Sequence, residues 1–297
     1  MTYTHSSGPL VSAAELGRHL GDPRWVIVDC RFNLGDPEAG RSAYAAGHIP
    51  GAYYADLDHD LAAPVVPGGA GGRHPLPAPD TLGYLARGWG VNADSRVVAY
   101  DDLGGAIAAR LWWQLRCCGH QHPAVLDGGL DAWRAAGQSL DSGEPAPGDG
   151  AWEAGDGELR TATADDLAAR LVANDCVLLD ARAADRFAGR VEPLDIRAGH
   201  VPGASNAPFS ANLEADKCFR APDDLQAYYR AIIGADRAMA DVVCMCGSGV
   251  TACHTLLALE IAGLPGAALY AGSWSDWISD ERRPVASTDG DEQRTNA

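Results

Sequence analysis

No apolar run in this 297-residue chain approaches the ~18 residues that a membrane-crossing helix requires. Residues 1–9 hold neither a basic region nor an apolar core, so no export leader is expected. Basic side chains are in deficit: 23 Lys and Arg stand against 40 Asp and Glu, a net charge of −17. That balance argues against nucleic acid or an anionic membrane as a partner. The eight cysteines (30, 117, 118, 176, 218, 244, 246 and 253) are dispersed and lack the pattern of a disulfide framework. They read as reduced thiols of a soluble cytoplasmic protein. What the chain does have is 46% hydrophobic residues, ample for two cores, and its length predicts two domains.

The two domains are copies of one another. Val26-Ile27-Val28-Asp29-Cys30-Arg31 returns as Val177-Leu178-Leu179-Asp180-Ala181-Arg182, an offset of 151. Gly47-His48-Ile49-Pro50-Gly51-Ala52 returns as Gly199-His200-Val201-Pro202-Gly203-Ala204, at 152. Val97-Val98-Ala99-Tyr100-Asp101 aligns with Val242-Val243-Cys244-Met245-Cys246, at 145, and Gly128-Gly129-Leu130-Asp131-Ala132-Trp133 with Gly272-Ser273-Trp274-Ser275-Asp276-Trp277, at 144. Two helix starts, a capping box at Ser12 and a looser one at Thr163, precede them. The offset drops by seven between the second and third blocks. The first half therefore carries an insertion, which the Gly- and Pro-rich residues 64–79 best accommodate, and long loops of this kind are often functional.

Short apolar strands alternate with helical segments: strand 26–29, helix 80–88, strand 97–100, helix 105–117, strand 124–126 and helix 130–135. This predicts an α/β protein of two tandem domains, each a parallel sheet flanked by helices. The expected boundaries are 1–142 and 159–297, joined by an aperiodic Gly/Pro/acid-rich linker over 143–158. The polar end, 286–297, is expected to be frayed.

Chemistry concentrates at Cys246. A buried strand over 241–245 and a helix over 251–262 enclose Cys246-Gly247-Ser248-Gly249-Val250-Thr251. Backbone N–H groups of Gly247, Gly249, Val250 and Thr251 and a helix N-terminus would converge there, a setting for an anion or an activated thiolate. A merely buried cysteine on a glycine turn is an equal reading of the turn alone. Sites in such sheets lie at the carboxyl ends of strands. Asp101 replaces the thiol in the first copy, so one active site is expected, in the second half, with the first half supplying part of its wall.

Taken together, the doubled Gly-His-x-Pro-Gly-Ala and Asp-x-Arg motifs, Cys246–Thr251 and the Gly-x-Trp-x-x-Trp end resemble the tandem-domain rhodaneses over residues 10–285. The resemblance implies a sulfurtransferase that carries sulfur as a persulfide on Cys246. Its donor would be 3-mercaptopyruvate or thiosulfate, and its acceptor cyanide or a thiol, such as thioredoxin. No cofactor and no metal are implied. The uncharged loop resembles the mercaptopyruvate branch, since the thiosulfate branch carries cations after the cysteine. Arg186 matches the arginine that holds the donor carboxylate, a task for a planar fork. An ion pair with Asp185 or Glu192 is its structural alternative. A second such arginine is hard to align, and Arg197 is the substitute chosen, with Arg190 a further option. His74, in Gly72-Arg73-His74-Pro75, and Asp58 match segments that reach the cysteine, and with Ser248 they resemble a proton relay.

Other conspicuous residues read as structural. His48, His200, Asp29, Asp180, Arg31 and Arg182 occur in both copies, including the one without a nucleophile. Trp112, Trp113, Trp274 and Trp277 read as packing. Cys244, Cys246, Cys253 and His254 lack the geometry of a zinc site. A phosphatase of related fold would need Arg six residues after the nucleophile, where this chain has Ala252. A catalytically silent binding module is the remaining alternative.

Overall fold

Burial on both faces explains the strands. Trp25–Asp29 and Arg96–Tyr100 are buried at every position, so they read as continuous apolar runs instead of alternating ones, as parallel strands covered by helices do. The computed structural model describes residues 8–157 and 159–288. Residues 1–7, 158 and 289–297 lie outside the described residues, and with them most of the end expected to fray. Two compact units are formed. One comprises Met1–Ala63, Pro77–Leu159 and Leu213–Arg220; the other comprises Pro64–Leu76, Arg160–Asn212 and Ala221–Ala297.

In the first unit the strands are β1 (Leu10–Val11), β2 (Trp25–Asp29), β3 (Tyr53–Tyr54), β4 (Arg96–Tyr100) and β5 (Pro123–Leu126), in a parallel sheet of order β1-β5-β4-β2-β3. Its helices are α1 (Ala13–Arg18), α2 (Glu38–Ala46), α3 (Pro79–Gly88), α4 (Ala108–Cys117) and α5 (Gly129–Ala135). The second unit holds β6 (Arg160–Thr161), β7 (Val177–Asp180), β8 (Ser205–Asn206), β9 (Val242–Met245) and β10 (Ala268–Leu269), in the order β6-β10-β9-β7-β8. Its helices are α6 (Ala164–Val172), α7 (Ala184–Phe187), α8 (Pro222–Ile233), α9 (Thr251–Ile261) and α10 (Ser273–Trp277). Adding five to each strand label of the first sheet gives the second. The repeat is therefore a repeat of fold. Each unit has its own core, built on Leu16, Ile27, Val98 and Trp133 in one and on Leu167, Leu178, Val243 and Trp274 in the other.

The repeated motifs have matching structural tasks. Arg31 forks onto Asp29 at 2.6 Å and donates to the Gly47 carbonyl; Arg182 forks onto Asp180 at 2.7 Å and donates to Gly199. His48 bonds the Tyr44 carbonyl through Nδ1 and stacks on that ring at 3.9 Å; His200 does the same with Phe187. Trp112, Trp113, Trp274 and Trp277 are buried.

Two local expectations change. The complete capping box is at Thr163, where Asp166 returns the bond to the Thr163 N–H, whereas Ser12 shows the forward bond from the Glu15 N–H. Helix α4 begins at Ala108, not near residue 105. The N–H groups of Leu103, Gly105, Ile107 and Ala108 all point at the Asp101 carboxylate, at 2.7–2.9 Å. A turn wrapped around one acceptor cannot also be regular helix.

Candidate active site

Cys246 follows β9 directly and is 2% exposed. Its backbone is pinned on both sides: the N–H donates to Ser273 Oγ at 3.0 Å and the carbonyl accepts from the Trp274 N–H at 3.0 Å. The Gly247 carbonyl accepts from Ser275 at 2.9 Å. The start of α10 thus fixes the turn from below. Gly249 adopts φ 78°, and a Cβ there would collide with the Ala271 carbonyl; only glycine suits this position. That conformation aims the Gly249 N–H at Cys246 Sγ, 3.1 Å away. Val250 then caps α9, which starts at Thr251 and is buried along most of its length, as expected for a helix apolar all round.

Residues 64–76 cluster with the second unit and bring His74 to this turn. Gly71 donates to Asp276 Oδ1 at 2.9 Å, and the Arg73 N–H to Ser275 Oγ at 3.0 Å. Gly72, at φ 80°, lies against the Gly272 carbonyl, with no room for a Cβ. So anchored, His74 is 2% exposed, and its Nδ1 lies 2.7 Å from Ser248 Oγ. A hydroxyl two residues from the thiol and a buried imidazole form one hydrogen-bonded pair.

Arg186, at the end of α7, points to the same turn but is not free. Its Nε and Nη2 grip Glu192, the latter at 2.7 Å, and Nη2 also reaches Asp195 at 3.0 Å. The Glu192 ion pair, the structural alternative foreseen for Arg186, therefore exists. Asp185 instead pairs with Arg190, at 2.8 Å. Arg197 is half-buried, and its carbonyl accepts the Trp274 indole N–H at 3.0 Å. Asp58 belongs to the first unit, on a turn after β3 where its N–H donates to Asp56 Oδ1 at 2.8 Å.

Arg73 is the site residue that motif reading passed over. It pairs with Asp195 at 2.6 Å and lies beside Gly247. The available signal was its position next to His74 inside the inserted loop.

Six of the other cysteines are held protonated. Burial pushes the Cys244 and Cys30 thiols well above the usual value, and Cys118 and Cys218 up to about 11. Among the described residues, no helix is long and apolar enough to cross a membrane.

A cysteine whose sulfur accepts a turn N–H at the carboxyl end of a parallel strand, in a fold made of two such sheets, defines the class. The rhodanese-like domain matches residues 12–136 and 163–280, and the chain belongs to that family, as a sulfurtransferase. A Pseudomonas aeruginosa protein described as a "Probable 3-mercaptopyruvate sulfurtransferase" is 47% identical over 285 residues, 96% of this chain and all of its own. A Mycobacterium tuberculosis relative, named for thiosulfate sulfurtransferase, is 40% identical and covers 93% of this chain and 96% of its own. The solved 3-mercaptopyruvate sulfurtransferase from Leishmania major superposes with a TM-score of 0.81 at 33% identity, over 95% of this chain and 76% of that one. Membership implies a small-molecule sulfur donor and a thiol acceptor.

Proposed function

We propose that this sulfurtransferase takes sulfur from 3-mercaptopyruvate on Cys246 and passes it to a thiol carrier of the thioredoxin type in the cytoplasm. The observation that carries the choice of donor is the arrangement around an uncharged loop: Arg186 beside Gly247, and the His74–Ser248 pair two residues from the nucleophile. A donor whose charge lies away from its sulfur fits cations set to one side of the thiol. Thiosulfate, whose charge adjoins the transferred sulfur, is the second reading, supported by the name of the Mycobacterium relative.

In this reading the Cys246 thiolate attacks the donor sulfur. An S–S bond forms as the C–S bond breaks, its electron pair passing into the enolate of pyruvate. A proton delivered through Ser248 and His74 completes pyruvate, with Asp58 as the outer relay member. The persulfide rests against the N–H groups of Gly247, Gly249, Val250 and Thr251, which stabilise developing negative charge without a cofactor. An acceptor thiolate then takes the outer sulfur and restores the Cys246 thiolate. Arg186, helped by Arg197, holds the donor carboxylate. Functionally the chain divides into a domain lacking the nucleophile, 1–142, a linker and a catalytic domain, 159–297.

The test is kcat/KM for 3-mercaptopyruvate and for thiosulfate on one preparation, with cyanide as common acceptor. A clear preference for mercaptopyruvate is expected. Preference for thiosulfate overturns the choice of donor, and silence with both overturns the catalytic reading.

A further inference from the structure

Arg73 and Arg186 reach the turn from separate segments and are tied together by one carboxylate. Asp195 Oδ1 accepts from Arg73 Nη1 at 2.6 Å, and Asp195 Oδ2 from Arg186 Nη2 at 3.0 Å. Glu192, 4% exposed, holds the rest of the inner edge of Arg186 and also accepts the N–H groups of Leu194 and Asp195. Arg186 is thus held through Nε and Nη2, and Arg73 through Nη1. Their outer nitrogens, Arg73 Nη2 and Arg186 Nη1, make no hydrogen bond among the described residues. A Cβ built on Gly247 would stand 3.4 Å from each of them. Glycine therefore leaves an open spot flanked by two guanidinium N–H edges, one residue from the Cys246 thiol. Arg73 Nε is also buried without a partner, an uncommon state for so polar an atom.

We propose that Arg73 is a donor-binding residue: with Arg186 it clamps the anionic end of the sulfur donor over Gly247, and it does the work assigned above to Arg197. Asp195 is a positioning residue that sets the spacing of the two forks. One unbonded N–H group from each of two planar guanidinium groups suits the two oxygens of a carboxylate or an oxyanion of sulfur, and charge-assisted bonds of this kind are about twice as strong as neutral ones. The charges also fit. Arg73, Arg182 and Arg186 are balanced by Asp180, Glu192 and Asp195, so the clamp attracts its ligand through directed N–H groups at short range and not through a broad positive field.

The inference rests on the sulfurtransferase reading, but it is tested without turnover. In a Cys246→Ser background, pyruvate and thiosulfate are titrated calorimetrically against Arg73→Gln, Arg73→Lys and Gly247→Ala. Arg73→Gln should weaken anion binding about tenfold, the loss of one charge-assisted contact, and Arg73→Lys should recover part of it. Gly247→Ala places a methyl on the open spot without altering a charge, and should weaken binding comparably. With Cys246 restored, Arg73→Gln should raise the donor KM while kcat stays within about twofold. Loss for pyruvate assigns the clamp to a carboxylate; loss for thiosulfate assigns it to a sulfur oxyanion. Unchanged affinity for both anions in Arg73→Gln overturns the proposal, as does a fall in kcat at constant KM, which would mark Arg73 as only a brace for His74. Should Arg73→Gln fail to fold, Gly247→Ala decides alone.

Discussion

Asp101 and Cys246 occupy the same place in their two sheets. Each follows the central strand of its sheet, β4 or β9, and each accepts at its carbonyl an N–H from the following short helix, Leu130 at 2.9 Å or Trp274 at 3.0 Å. Gly104 and Gly249, three residues on, share a positive φ, 71° and 78°. In one copy the amides converge on a carboxylate, and in the other a thiol accepts the Gly249 N–H. The first copy carries a hydrogen-bond acceptor that holds its turn where the second carries a thiol.

Asp101→Ala should therefore be among the most damaging changes in the first unit. It strands three buried N–H donors, those of Gly105, Ile107 and Ala108, around an empty space, at about 1–3 kcal/mol for each that water cannot reach. A loss of at least about 3 kcal/mol is expected from chemical denaturation. A change below about 1 kcal/mol would mean that the turn satisfies its own amides by refolding.

Cys246→Ser should abolish turnover with either donor while Tm is retained, because a hydroxyl fits the site but does not form a persulfide. Mass spectrometry after donor treatment should show a gain of one sulfur on the intact protein and none on the variant. Residual turnover above about one part in a thousand would exclude the covalent route.

His74→Asn keeps a polar partner for Ser248 but removes the imidazole. It should lower kcat for mercaptopyruvate by about 10²-fold, within the range for general acid–base groups, and leave thiosulfate turnover much less affected, since sulfite departs without needing a proton. Equal losses with both donors would assign His74 to loop architecture.

Arg186→Ala should raise the mercaptopyruvate KM about tenfold or more. It also leaves the buried Glu192 and Asp195 short of a counter-charge, so Tm should fall too. Arg186→Lys separates the two effects: it should restore Tm more fully than KM, because lysine supplies charge without the fork.

The stability of the first unit should depend on His120. Its ring is 1% exposed; Nε2 meets the Asn92 carbonyl at 3.2 Å and Nδ1 accepts the His122 N–H at 3.2 Å. Burial lowers its pKa from 6.5 to about 4. The unfolded chain takes up a proton before the native one does, so this group's contribution is present above pH 6.5 and is lost as pH falls toward 4. The loss amounts to roughly 3 kcal/mol. Denaturation curves of His120→Gln should be flatter than wild type across that window; parallel curves would show that His120 protonates in place.

Five repeated blocks predicted the duplicated parallel sheet because each block marks a strand end or a turn that the backbone requires. The strand and helix limits came out within three residues at each end, with α4 displaced by the Asp101 turn. What the chain hid were two-residue edge strands such as β1 and β6, too short to leave a periodicity. Within the site, Cys246, Ser248 and the loop glycines were legible as a contiguous motif. The ion pairs of Arg186 and the position of Arg73 were not. They depend on Glu192 and Asp195, in a segment of irregular backbone whose shape no local pattern encodes.

The grouping of residues 64–76 with the second unit, and of 213–220 with the first, has a consequence for the gene as well as for the protein. Each copy of the ancestral duplication has surrendered a short stretch of chain to the other's compact body. An excised C-terminal half beginning at residue 159 would keep Cys246 but lose Arg73 and His74. A half cut at the repeat boundary would therefore lack a piece of its own compact body, and would need that piece grafted back before it could stand as a single-domain protein.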